Sequence, residues 1–414
     1  MGPSSAIVTA FHGPGILYKR LIHRERESRS APAIAPGTNI PCQTCAPRFC
    51  ILIAMKQRKV RHPGPFRLRP LLEKSAVKYR LLAIFLLLPL LAAAADTLDI
   101  YWIDVEGGAA TLIVTPAGET VLMDAGWPGP NDRDTKRIQS VLTGEAKASK
   151  IDYFIISHFH IDHAGGIPSL AAAVPIGKVF DHGESVEKDR PGGAEIYAAY
   201  LKAVEGKRTE VKPGDKLPIH GADLTFVASH SRFIEEPLVD SKPNPYCAGA
   251  EIGPVDRSEN GKSVGFILRV GKFDFLDLGD LTKIYEHELA CPANRLGEFD
   301  LYQVTHHGAN TSGAAELVRA VNPTVAVMNN GPTKGGDAEA LQVLKQAPTF
   351  QDLWQGHYAT RSTLEQNTAN DLIGNLEATE QCQGHWIKAS VQKDGSAFTI
   401  TNGRNGHSKT YQSR

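Results

Sequence analysis

The sequence predicts an α/β sandwich, on two observations. From Leu98 onward, short runs rich in β-branched and aromatic residues alternate with turn residues, at 98–104, 110–115, 120–126, 151–157, 178–183, 223–229, 263–270, 273–280, 301–308 and 324–331, and these read as strands. Between several of them lie helix-like segments at 132–142, 194–204 and 314–321. Strands and helices in this mixed order favour a layered α/β arrangement over an all-β barrel. No internal repeat at a fixed period is visible. From about residue 346 the chain is polar and irregular and ends in a hairpin, HWIKASV then SAFTIT around Asp394 and Gly395. Residues 346–414 are therefore read as a short C-terminal extension to a domain at 96–345.

At 414 residues, 42% hydrophobic and 22% charged, the chain is long enough for one large or two ordinary domains with buried cores. Lys+Arg and Asp+Glu are equal at 45 each, so net charge gives no support to a nucleic-acid or anionic-membrane partner, and only a local basic groove would. Six cysteines fall in two groups. Cys42, Cys45 and Cys50 lack the second pair that a zinc ribbon needs and read as incidental. Cys247, Cys291 and Cys382 allow at most one internal disulfide, whose pairing the spacing does not reveal.

Residues 78–95 run Lys-Tyr-Arg, LLAIFLLLPLL, then AAAA, the basic, apolar and small-residue order of a secretory signal peptide (77–95), with cleavage expected near Ala95. The apolar run is far short of the roughly 20 residues that span a bilayer, so the mature chain is expected to carry no span and to be exported, periplasmic or secreted. Residues 1–76 are rich in Pro, Arg and Ser without hydrophobic period, and read as disordered or as an over-extended gene model. On the second reading translation starts at Val77, from a GUG codon, or at Met55. A cytoplasmic head on an anchored protein is the competing reading.

The segment that carries chemistry follows strand 151–157: His158, His160, Asp162 and His163, then Gly165 and Gly166. Residues two apart on an extended chain project to one side, so His158 and His160 can grip one ion together. Asp162 and His163 follow as the chain turns and can reach a second position. The glycines allow a tight turn into a helix at 169–173, whose first turn Pro168 suits. Imidazole nitrogen with carboxylate oxygen is the donor mixture that zinc prefers, with Mn2+ or Fe2+ as alternatives.

H-x-H-x-D-H at a strand end followed by Gly-Gly is the signature of the metallo-β-lactamase superfamily, which the sequence resembles from about residue 98 to about 345. The resemblance implies a four-layer αββα sandwich, a centre of one or two zinc ions and a hydrolytic activity. It implies a supporting role for Asp124 in VLMDAG, a bridging role for Asp280 in FLDLGD, and closure of the site by the LYQVTHHG pair. Because adjacent strand residues face opposite sides, one of that pair should ligate; His307 is expected as the ligand and His306 near the substrate. DVEGGAATLIV, Asn260 with SVGFILRV, LGDL and HHGANTS resemble the branch holding the extracellular domain of the DNA-uptake competence protein and a bacterial phosphocholine esterase.

One departure matters. The Gly-His-Thr-Pro-Gly-His segment that completes one metal site in lactamases and glyoxalases is missing. His182 is expected to replace it, with His230 or Asn260 as alternatives. Redox use of iron is disfavoured, because His160 stands where the flavo-di-iron relatives carry glutamate and no flavin-binding segment accompanies the site.

The implied reaction uses water whose pKa a metal lowers to about 7. Asp162 would orient or deprotonate it, and His306 would stabilise charge or protonate the leaving group. A phosphodiester or phosphate ester is the expected substrate, with a lactone or β-lactam behind it, and a non-catalytic zinc-binding or scaffold protein is the alternative of another class. Asn329, Asn330, Gly331, Pro332, Lys334, Gly335 and Gly336 form either a loop beside the site or a plain turn. Oligomeric state is not legible.

Overall fold

Two mixed nine-stranded sheets stack face to face in this computed structural model, which describes residues 97–378 and 382–414. The expectations for 1–76 and 77–95, and for Cys42, Cys45 and Cys50, lie outside the described residues. The first half of the strands are β1 (Thr97–Trp102), β2 (Thr111–Val114), β3 (Thr120–Met123), β4 (Ile151–Ile155), β5 (Ile176–Asp181), β6 (Arg208–Glu210), β7 (Lys216–Leu217), β8 (Asp223–Ser229) and β9 (Arg232–Phe233). The remainder are β10 (Gly265–Val270), β11 (Phe273–Asp277), β12 (Leu301–Gln303), β13 (Val325–Met328), β14 (Asp352–His357), β15 (Ile373–Asn375), β16 (Ile387–Gln392), β17 (Ala397–Asn402) and β18 (Ser408–Gln412).

One sheet runs β18-β17-β16-β1-β2-β3-β4-β5-β6, and the other runs β15-β14-β13-β12-β11-β10-β8-β7 with β9 on β8. In the first, β3 to β6 are parallel and the rest antiparallel. In the second, β11 to β15 are parallel.

The alternation of side chains along each strand explains the layering. Ile113, Val121 and Ile155 point inward and meet Phe226, Phe266, Phe275 and Val325 of the other sheet in a shared core. Their neighbours Leu112, Leu122 and Phe154 point outward, against α1 (Arg133–Ser140), α2 (Ile161–Ala164), α3 (Ile167–Ala173) and α4 (Gly193–Ala203). Leu276, Tyr302 and Ala326 likewise meet α5 (Lys283–Ala290), α6 (Ala315–Val321) and α7 (Ala338–Leu344). Three apolar layers thus separate four layers of structure, helix, sheet, sheet and helix, as expected. Among the described residues no helix is long and apolar enough to cross a membrane.

The segment read as an extension at 346–414 belongs to both sheets. β14 pairs with β13, and β16 pairs with β1 in register Thr97↔Gln392. The hairpin around Asp394 and Gly395 is present as β16 and β17. β14 escaped notice because it is buried on both faces and so lacks polar alternation. Its Leu353 packs toward the helices while Trp354 fills the core between the sheets.

Among the described residues Cys247 and Cys291 form a disulfide and Cys382 is free. The disulfide ties the connection 234–259, whose regular structure is one 3-10 turn at Pro245–Cys247, to the residue after α5. Connections of that length within a domain are uncommon unless they serve a site.

Candidate metal centre

The parallel strands β3, β4, β11, β12 and β13 end at one rim, and the residues that follow them converge there. After β4 the chain stays extended through His160 and enters α2, which turns Asp162 and His163 inward. Gly165 and Gly166 keep ordinary negative φ, and a turn is not what requires them. A Cβ on Gly166 would lie 2.0 Å from the Ala125 carbonyl oxygen, and one on Gly165 2.4 Å from Pro128 Cδ, so both serve close approach of α2 to the segment after β3.

Asp162, His163, Asp280 and His307 are all buried, and each offers a ligand atom within 4.8 Å of the others. His163 Nε2 lies 3.1 Å from Asp162 Oδ2, 3.2 Å from Asp280 Oδ2 and 3.2 Å from His307 Nε2. His307 Nε2 is 3.4 Å from Asp162 Oδ2 and 3.5 Å from Asp280 Oδ1. A tetrahedral ion with N and O ligands at about 2.0–2.1 Å sets ligand atoms roughly 3.3–3.4 Å apart. The spacing and the donor types therefore fit such an ion.

His158 reaches the same carboxylate, its Nε2 3.8 Å from Asp280 Oδ2, and His160 stands behind it, with Nδ1 3.0 Å from that nitrogen and Nε2 3.7 Å from Glu187 Oε2. They lie outside the four-atom group and could serve a second ion that shares Asp280.

Asp124, at the end of β3 with φ of 63°, accepts hydrogen bonds from the Ser157 amide at 2.8 Å and hydroxyl at 2.7 Å, and from His163 Nδ1 at 2.7 Å. With its Nδ1 proton given to Asp124, His163 presents the lone pair of Nε2 to the centre, the arrangement that orients metal-binding imidazoles elsewhere. The sequence had no sign of Ser157 in this network.

The electrostatics of the group favour a positive charge at its middle. Burial pushes the Asp162 and Asp280 carboxyls up, but His163 opposes it, aided by His307 at both, Lys334 at Asp162 and His306 at Asp280, so both stay well below the usual carboxylate range. Burial opposes charge on His163, yet Asp280, Asp162 and Asp124 raise its pKa well above the ordinary value, so a proton and an ion compete for the same Nε2 lone pair. His158 is held well below it by burial and by His163, and stays neutral.

Two expectations need correction. His306 and His307 are not strand residues: they occupy a turn, Thr305–Gly308, with φ of 56° and 55°. Alternation therefore does not separate them, and both rings face Asp280, His306 Nε2 at 3.4 Å from Oδ2. Left-handed backbone at a non-glycine residue costs roughly 1–2 kcal/mol and concentrates at functional sites. His307 belongs to the four-atom group, whereas His306 lines an adjoining cavity with Asn260, whose Nδ2 is 3.4 Å from its Nε2.

The second correction concerns His182. Its Nε2 meets Glu259 Oε2 at 2.9 Å and its Nδ1 faces His230 Nδ1 at 3.3 Å, so neither nitrogen is left for the ion. It packs on Phe159, the residue between His158 and His160. Glu259 also accepts from the Phe159 amide, Ser185 Oγ and the Val186 amide. Burial opposes its charge, but His182 and these donors bring the carboxyl down to about 2. Glu259 thus buttresses the histidine motif from behind, and nothing in the sequence pointed to it.

The loop after β13 does border the site. Lys334 Nζ contacts the Asp162 carboxylate and sits 5.1 Å from the Trp127 ring centroid. Among the described residues a second cluster, Asp104, His357 and Cys382, also brings ligand atoms together. There Arg137 Nη1 sits 2.9 Å from Asp104 Oδ2 and His357 Nε2 2.7 Å from Oδ1.

The family model described as the metallo-beta-lactamase superfamily matches residues 103–236, which include His158 to His163. The four layers described above are those of the metallo-β-lactamase fold. Recombination protein 2 of Haemophilus influenzae is 25% identical over 253 residues, 61% of this chain but 26% of that protein, so the chain spans about a quarter of its length. A protein from an Anaeromyxobacter species described as a metal-dependent hydrolase is 26% identical over 60% of this chain and 81% of its own. Among solved structures, the metallo-beta-lactamase fold protein YhfI from Bacillus subtilis aligns with a TM-score of 0.38 and 13% identity, covering 63% of this chain and 96% of that one.

Proposed function

We propose that this chain, whose residues 103–236 match the metallo-beta-lactamase superfamily, is an exported metal-dependent hydrolase of phosphodiesters or phosphate esters. The observation that carries the reading is the convergence of Asp162, His163, Asp280 and His307 at the separations a tetrahedral ion needs. These four would hold one ion, with His158 and His160 sharing Asp280 with a second. Zinc is the ion proposed, on the donor chemistry. When bound, it supplies Lewis acidity toward a phosphoryl or carbonyl oxygen and acidifies a coordinated water.

The protein's own groups do the rest. Asp162, held anionic, would accept a hydrogen bond from a water and orient it. Lys334, over the Asp162 carboxylate, meets an anionic oxygen of the substrate. His306 faces both Asp280 and the cavity and would stabilise charge on the departing oxygen through a hydrogen bond, burial holding its pKa below the ordinary value; its ring nitrogen Nδ1 is 3.1 Å from Ser312 Oγ and 3.0 Å from Thr311 Oγ1, which fix its tilt. The likeness to the competence-protein branch supports a phosphate ester, and the Cys247–Cys291 disulfide supports an oxidising, extracytoplasmic location.

The test is hydrolysis of bis-p-nitrophenyl phosphate by purified protein, with metal content measured in parallel. Turnover should vanish on chelation and return with zinc. The His163→Ala/His307→Ala protein should fail to regain it, and undiminished turnover in that protein would refute the site.

A further inference from the structure

A cavity of about 610 Å³ opens beside His306, and the hydrolytic reading leaves most of its lining unused. Its size is that of a pocket for a small organic ligand. One wall is the tip of the 234–259 connection, which presents Ile252 and Val255; the other is the start of α5, with Lys283 and Ile284. Ile252 and Val255 are 56% and 63% exposed, an unfavourable placement for large apolar side chains that share one cavity.

The tip is held at both ends. Cys247 is bonded to Cys291, and Pro243 bridges Ala293. On the far side the Asp256 carbonyl accepts the Tyr285 hydroxyl at 2.6 Å, and its carboxylate accepts Thr282 Oγ1 at 3.2 Å. A wall fixed in this way is preorganised, so binding spends little on ordering it.

Charge narrows the occupant. Among the described residues Lys283 is the one lysine or arginine in the lining, against Glu251 and Asp256. A polynucleotide path needs a run of cations and would be repelled by this one. Asn260, between the cavity and His306, has an Oδ1 without a hydrogen-bond partner.

We infer that this cavity is the subsite for an uncharged, apolar substituent of a small phosphate ester, whose reacting group sits at the metal centre. The position of that reacting group rests on the hydrolase reading; the apolar preference rests on the cavity.

Two measurements separate them. Zinc-loaded protein is titrated calorimetrically with methylphosphonate and hexylphosphonate, and turnover is followed on alkyl p-nitrophenyl phosphodiesters from methyl to hexyl. Affinity should rise roughly twofold per methylene, as for half-complete burial, and so roughly thirtyfold across the series. In the Ile252→Asp/Val255→Asp protein that preference should fall below about threefold, with metal content and thermal midpoint unchanged because both side chains are exposed. Equal affinity for the two phosphonates, or an undiminished preference in the variant, overturns the subsite. Turnover without chain-length dependence sinks the subsite alone. A hexyl preference with no turnover on any diester supports the subsite and sinks the hydrolase reading.

Discussion

Two clusters that each join buried aspartate to buried histidine, one around Asp280 and one around Asp104, balance their charge in opposite ways. At the first, two carboxylates and two imidazoles aim at a common point, and among the described residues no arginine touches the group, Lys334 meeting Asp162 alone. At the second, the Asp104 carboxylate is divided between Arg137 on one oxygen and His357 on the other. Burial opposes its charge, and His357 and Arg137 more than offset that. Convergence of donors is therefore necessary for a metal site but does not suffice: an arginine already in place makes the cluster structural. Glu286 shows a third solution. Among the described residues no arginine or lysine pairs with it, and burial pushes it up to about 7, so it keeps a proton where an ordinary carboxyl has lost it.

The largest expected effect separates the first two cases. Asp280→Asn should weaken metal binding by more than roughly a hundredfold, since even residues that only support ligands are worth 10- to 100-fold, and turnover should fall with it. Asp104→Asn should leave metal stoichiometry untouched by elemental analysis; a lost ion in that variant would break the distinction.

Next comes Asp104→Ala, which takes the carboxylate from buried His357 and leaves Arg137 to Glu106. It should cost about 2–3 kcal/mol in denaturant unfolding while the metal centre stays loadable. A cost under about 1 kcal/mol would mean that the pair is not structural.

The smallest effect concerns the proton. The folded protein keeps Glu286 protonated at pH values where the unfolded chain has released it. That contribution is whole below the unfolded value of about 4.5 and is lost as pH climbs to about 7. Glu286→Gln should flatten the stability profile in that window by an amount on the order of 2 kcal/mol, and an unchanged slope would show that Glu286 is charged when folded.

The legible parts of the centre were those encoded locally or at strand ends. His158 to His163 lie within one short segment, and FLDLGD and LYQVTHHG mark their own positions at the ends of hydrophobic runs. Partnerships between distant segments were not legible. Glu259 meets His182 across 77 positions, and Lys334 meets Asp162 across 172. Nor could residue type foretell the left-handed turn that brings His306 and His307 to the same side. Asp352–His357 was lost for another reason, since a strand covered on both faces has no polar stripe to betray it.

Pairing of β1 with β16 makes the described chain a clasp. Its first strand waits, one edge bare, for partners made hundreds of positions later, and the inter-sheet core lacks Trp354 and Phe398 until the same late stage. Contacts so remote in sequence slow folding, because chain closure must precede the gain from packing. Cutting the protein at residue 345 would thus remove the fastening rather than a tail, and the two halves of the metal centre, one borne by each sheet, would lose the frame that keeps them in register.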